Sequence, residues 1–207
     1  MLNMKDQILD KANEMFLSIG FKSVTMDDIA VALGISKKTI YQHYANKHEL
    51  VQASTTKLFH EISDGVDIIV SENHNPIEEF FVVRDFLSVK LNNESASPFY
   101  QLHKFFPEVS AGLHSLKFEK MYKTMSENLK RGISAGLYRQ DIDNDFISRI
   151  YFSGLNATKE EDIFPPAMYN ASDLMRQFLE YHLRAIVTEK GLQVLAKIIK
   201  TNAVKKK

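Results

Sequence analysis

Apolar residues recur at helical spacing along nearly the whole chain. Ile8, Ala12, Met15, Phe16 and Ile19 mark one face of a first helix, which Gly20 closes. Thr25 with Asp28 three residues later is the pattern of an N-cap and a returning carboxylate, and it predicts a second helix through Ile29, Ala30 and Leu33. Gly34 ends that helix, because glycine enters a left-handed C-cap without steric cost. Ser36 caps a third helix, from Lys37 to about Tyr44, and Asn46 with Glu49 opens a fourth that runs toward Ser71.

Further along, Asn75-Pro76 with Glu78 supplies a cap, a proline at the first helical position and an acid in the first turn, for a helix to about Leu91. Its apolar residues cover much of the circumference, so it is expected to be buried on several sides. A polar loop over 92–98 precedes a short aromatic helix from Pro98 to Phe106, stopped by Pro107. Helical spacing returns from Ser110 to about Ser134. Two more stripes follow, Phe146 to Leu155 and Leu174 to Ile186, with an irregular stretch over 159–170 between them, and Leu192 to Ile199 makes a last helix. No alternating pattern of useful length predicts a strand. The expected fold is all-α: an N-terminal three-helix helix-turn-helix unit over 1–47, joined by a long helix to a larger helical part over 48–207.

Composition narrows the chemistry. The 207 residues are 44% hydrophobic and 25% charged, enough for a sizeable core. Lys+Arg and Asp+Glu are 26 each, so a nucleic-acid site has to be a local patch rather than a chain-wide basic field. The absence of cysteine excludes disulfides, thiolate metal ligands and thiol nucleophiles. His103, His114 and His182 lack a paired ligand spacing, and no nucleophile-elbow pattern occurs. No metal, cofactor or catalytic residue is therefore expected, and the protein is not read as an enzyme. The start shows no signal-peptide pattern and no run reaches about 18 apolar residues, so a cytoplasmic location without membrane contact is expected. Glu160-Glu161-Asp162 reads as a solvated loop and Lys205-Lys206-Lys207 as a solubilising tail.

The middle of the stretch from Gly34 to Leu50 crowds two lysines, a histidine, a glutamine and two tyrosines onto about eight positions, roughly two helical turns. With Ala30 small at the crossing and Ile35 and Ile40 turned inward, the spacing is that of a helix-turn-helix. Lys37, Lys38, Thr39, Tyr41, Gln42 and His43 are left on the outer face of the second helix of the pair, the face that enters a major groove in such motifs. Lysine can meet guanine or phosphate, and glutamine can bond adenine bidentately. The helix starts at Thr25 and Asn46-Lys47 offer free backbone N–H groups to phosphates, with Lys47 adding a charge, and Ser36, the cap of the reading helix, is counted among the DNA-binding residues. The plainer reading of the same residues is a packing unit with a solvated basic face.

These residues resemble a known family. Ala12, Phe16, Gly20, the run Thr25-Met-Asp-Asp-Ile-Ala30, Leu33-Gly34-Ile35-Ser36, Thr39-Ile-Tyr41, Tyr44 and Asn46-Lys47-His-Glu-Leu50 look like the DNA-binding domain of the TetR family of bacterial transcriptional regulators. Gly136-Leu-Tyr-Arg-Gln-Asp-Ile-Asp143 is similar to a turn that often precedes that family's eighth helix. The resemblance implies a homodimer on a palindromic double-stranded DNA operator, in most such proteins a repressor, controlled by a small effector in the C-terminal domain. By position it makes Thr25, Lys37, Lys38, Thr39, Tyr41, Gln42, His43 and Lys47 DNA contacts. Tyr44 departs from the family's usual phenylalanine and Lys38 from a small residue.

Candidates for a pocket taking an apolar or aromatic effector are Phe81, Phe86, Tyr100, His103, Phe106, Tyr122, Met125 and Tyr151, where ordinary core is the plainer reading of each. The resemblance places the dimer interface on two late helices, with Phe146, Ile150, Gly154, Leu174, Phe178 and Tyr181 as its residues and Gly154 permitting close approach. The competing functional class is an all-α enzyme or carrier for a small molecule, in which the first helices only pack.

Overall fold

The computed structural model describes residues 3–91 and 96–204. Its elements are α1 (Met4–Ile19), α2 (Met26–Leu33), α3 (Lys37–Tyr41), α4 (Lys47–Ser71), α5 (Pro76–Lys90), α6 (Ala96–Phe105), α7 (Pro107–Ser134), α8 (Asn144–Ala157), α9 (Ala171–Ile186) and α10 (Glu189–Val204). The fold is all-α, as the periodicity predicts, and among the described residues no strand forms; Tyr138 and Val187 make one isolated bridge. No helix among these residues is long and apolar enough to cross a membrane. The tail Lys205-Lys206-Lys207 and residues 92–95 of the expected loop lie outside the described residues.

Some boundaries differ from the sequence reading. The third helix stops at Tyr41, three residues short of the expected end. The His43 N–H turns to the carbonyl of Ile40 three residues back, at 2.9 Å, a tighter turn than the α-helix makes, and the Tyr44 N–H shares that carbonyl at 3.0 Å. Residues 96–98 are helical rather than loop. Pro107 does stop α6, yet it also starts α7, three residues before the expected Ser110. A proline at the first helical position forfeits only an N–H that would be unpaired anyway.

The chain divides into two compact units, Met1–Ser63 with Ser95–Lys117 and Asp64–Glu94 with Phe118–Lys207; α4 and α7 each contribute residues to both. The first unit closes around Ile8, Ala12, Phe16, Phe21, Ile29, Ile40, Tyr44 and Leu50, and the core is completed by Leu102, Phe106, Val109 and Leu113. The three-helix head is thus not sealed by its own residues.

The second unit packs α5, α8, α9 and α10 with the later part of α7, around Ile77, Phe81, Leu129, Leu183, Ile186 and Leu195. One buried polar cluster sits inside it. Asn128 donates to the Pro76 carbonyl at 2.9 Å and to Glu79 at 2.8 Å, Arg131 pairs with Glu79, and Tyr138 donates to Asn128 at 3.0 Å. Each member is satisfied, which is what makes burying a carboxylate tolerable. Gly136, at φ 69°, turns the chain after α7, and Asp143 caps α8 by accepting the Phe146 N–H at 3.1 Å.

Candidate nucleic-acid interface

Local chemistry sets both helix starts of the motif. Thr25 accepts the Asp28 N–H at 3.1 Å, while the Asp28 carboxylate accepts the Thr25 N–H and hydroxyl, each at 2.8 Å. This reciprocal cap satisfies two otherwise orphaned donors. The backbone N–H of Thr25, then its hydroxyl, hold the Asp28 carboxyl below the usual range. Gly34 takes the left-handed conformation, φ 64° and ψ 30°, and lets the Ile35 N–H reach the Ala30 carbonyl at 3.0 Å. Ser36 caps α3 by accepting the Thr39 N–H at 3.1 Å, and its hydroxyl lies 2.9 Å from that of Thr39. The Thr25, Ser36 and Thr39 hydroxyls all therefore have partners within the head.

On the outer face, Lys38, Tyr41 and Gln42 are exposed and His43 is half-buried. Lys37 is exposed too, but its ammonium is paired with Asp27 of α2 at 2.8 Å. The Asp27 hydrogen bond holds the Lys37 ammonium above its ordinary range. Lys38 has no ion-pair partner among the described residues, so the α3 surface offers one unpaired lysine where the sequence suggests two. Beneath them Ile40 is fully buried and Tyr44 is 2% exposed, its hydroxyl directed at the Lys5 carbonyl at 3.5 Å. Tyr44 thus packs inward, as phenylalanine would.

Lys47 is placed differently from a free phosphate contact. Its ammonium donates to the Lys22 carbonyl at 2.9 Å and lies 5.7 Å from the Phe106 ring centroid. Half-burial pushes its pKa down, against the pull of Asp28. Sequence reasoning missed two partners here. Asp27 could have been found, since an acid in the first turn of one helix and a lysine opening the next meet across a short turn. Gln101, whose side chain accepts the Lys22 N–H, left no local signal.

The other candidates divide between the two units. Tyr100, His103 and Phe106 belong to the first unit, with Tyr100 and His103 exposed and Phe106 buried beside Lys47 and His48. Phe81, Phe86, Tyr122, Met125 and Tyr151 belong to the second. Phe86 fills the hollow beside Gly65, where a Cβ would stand 2.2 Å from the ring, and Tyr122 donates to Asp145 at 2.8 Å. Phe81 and Met125 are core. Tyr151 packs against Phe80, Phe178 and His182, with centroids 5.5, 5.5 and 4.8 Å away.

Of the interface candidates, Phe146, Ile150 and Tyr181 are 59, 46 and 74% exposed. Leu174 and Phe178 are half-buried, and Gly154 is used within the chain: a Cβ there would stand 2.3 Å from the Phe178 ring.

Comparison with known proteins agrees with this geometry. The model of bacterial regulatory proteins of the tetR family matches residues 8–54. The chain is 38% identical over 61 residues to the negative transcriptional regulator of the biofilm operon icaADBC, IcaR, of Staphylococcus epidermidis; the match covers 30% of this chain and about a third, 33%, of IcaR's own length. It is 27% identical to the HTH-type transcriptional regulator YvaF of Bacillus subtilis, covering 77% of this chain and 99% of YvaF. In fold it matches a transcriptional regulator from Cytophaga hutchinsonii with a TM-score of 0.72 at 17% identity, over 88% of this chain and 98% of that one. The capped helix-turn-helix head, residues 8–54, is therefore that of the tetR family of bacterial regulatory proteins.

Proposed function

We propose that the protein is a homodimeric repressor that reads a palindromic operator through α3 and is released or engaged by a small apolar or aromatic effector held in its helical C-terminal part. The observation that carries the DNA-binding half is the α3 surface. Lys38, Tyr41 and Gln42 stand exposed on a helix that a fully buried Ile40 and two local caps hold rigid. A rigid element is what base readout needs, because a side chain misplaced by a fraction of an ångström loses its bidentate geometry. Two such helices in successive major grooves would lie one helical turn apart. IcaR, similar over the head, is a negative regulator, which supports repression.

Exposed Phe146, Ile150 and Tyr181 on α8 and α9 support self-association, since large apolar side chains left in water favour a partner. The effector half rests on the aromatic content of the second unit.

The test is selection of bound duplexes from a random pool, followed by anisotropy titration at several salt concentrations. Binding should weaken steeply with salt as phosphates release counterions. Gln42→Ala should relax the preference at one base position per half-site by about 1–3 kcal/mol. Failure of the dimeric, ligand-free protein to enrich any sequence would sink the reading in favour of a carrier.

A further inference from the structure

A ring of contacts ties α6 to the turn between α1 and α2. Gln101 Oε1 accepts the Lys22 N–H at 2.9 Å, across 79 positions of sequence. The Lys22 carbonyl accepts the Lys47 ammonium at 2.9 Å, and that ammonium lies 5.7 Å from the centroid of Phe106. The Lys22 ammonium in turn lies 4.3 Å from the centroid of Phe105. Gly20 makes the approach possible. At φ 114° it adopts a conformation that other residues rarely do, and a Cβ there would stand 2.4 Å from the Gln101 amide.

We propose that Gln101 is a positioning residue of the DNA-reading head, fixing the turn over 20–24 and through it the helix starts at Thr25 and Lys47. The inference rests on the DNA-binding reading above. The turn matters because it decides where α2 begins: the Val24 N–H returns to the Gly20 carbonyl at 3.3 Å, and Thr25 follows at once as the cap. Lys22 is the hub, its N–H held by α6 and its carbonyl holding the cation that opens α4. A backbone held at both ends presents its N–H groups and cations in one arrangement. Released, it has to be ordered again by each phosphate it meets, and affinity falls by that entropy. None of the contacts named in this ring involves Lys38, Tyr41 or Gln42, so base preference should stay unchanged.

The test compares the full-length protein with Gln101→Met, which keeps side-chain length but has no acceptor, and Gln101→Glu, which keeps an acceptor oxygen. Three measurements are made: amide exchange at Lys22, the thermal melting curve, and affinity for unselected random duplexes and for wild-type-selected duplexes across salt. For Gln101→Met, exchange at Lys22 should accelerate, while affinity for both DNA pools falls about tenfold and the salt slope becomes shallower by about one phosphate contact. The melting curve should stay close to wild type, and Gln101→Glu should restore Lys22 protection. Wild-type affinity in Gln101→Met overturns the proposal, as does an affinity loss that only tracks a lowered melting curve. Wild-type protein that binds neither pool overturns the DNA-binding reading itself, a result distinct from wild-type binding that the methionine variant matches.

Discussion

Lys37 and Asp27 face each other across the turn of the helix-turn-helix, the ammonium 2.8 Å from the carboxylate, both side chains about half exposed. An exposed pair of this kind adds little to stability. It does alter the field that DNA meets, because the carboxylate cancels one cation and repels phosphate. Asp27→Asn should tighten binding to random duplexes by about three- to tenfold at low salt and steepen the salt dependence by about one contact. Anisotropy titration checks this; an unchanged salt slope would show that Lys37 remains away from DNA whether or not its partner is charged.

Gly34 is the sharpest local test of the fold. Its φ is 64°, and a Cβ placed on it would have nothing within 4 Å, so Gly34→Ala meets no steric clash and its whole cost is backbone strain. Chemical denaturation should show a loss of about 1–2 kcal/mol with an unchanged m-value. A neutral result would mean that the turn relaxes to another geometry.

His182 gives a pH signature. It is 6% exposed among the rings of Phe80, Tyr151 and Phe178, and among the described residues its Nε2 has no hydrogen-bond partner. Burial pushes its pKa from 6.5 down to about 4. The unfolded chain therefore takes up a proton near pH 6.5 that the folded chain refuses until about pH 4. Stability is unaffected above pH 6.5, falls as pH drops through that window, and levels off below it, a loss of about 3 kcal/mol. His182→Phe should flatten this segment of the stability–pH curve, read by urea unfolding at pH 7 and pH 5. A variant curve parallel to wild type would place the imidazole in water.

Tyr181, the most exposed ring on α9, tests the proposed dimer. With Phe146 and Ile150 it presents apolar area that water would otherwise hydrate. Tyr181→Glu would bury a charge in a two-fold contact and meet its own copy or a near neighbour there. Sedimentation equilibrium should then find monomer for the variant and dimer for wild type. A variant that remains dimeric assigns self-association to another surface.

What can be read from the sequence is decided over four or five residues. The Thr25–Asp28 cap, the Gly34 terminator and the Asn75-Pro76 start each settle their helix locally, and the structure keeps all three. The shortness of α3 is hidden because Gln42, His43 and Tyr44 have acceptable helical propensity. The tight turn at His43 and the burial of the Tyr44 ring, which mark the early end, are tertiary features that local propensity does not carry. Phe106 reads from the sequence as pocket material alongside other aromatics, since composition cannot tell which unit a helix joins, and Gln101 draws no notice at all. Their partners Lys47 and Lys22 lie far away in sequence, and only tertiary packing brings them together.

The core shared by α1–α4 with Leu102, Phe106, Val109 and Leu113 bears on how such proteins are taken apart and recombined. A chimera that transplanted only residues 1–47 onto a foreign body would strip six buried apolar side chains from its interior, Leu50 and Val51 as well as those four, and leave Lys22 and Lys47 without their rings. A transferable head from this chain has to include α6 and the opening turns of α7, which makes its natural unit of exchange discontinuous.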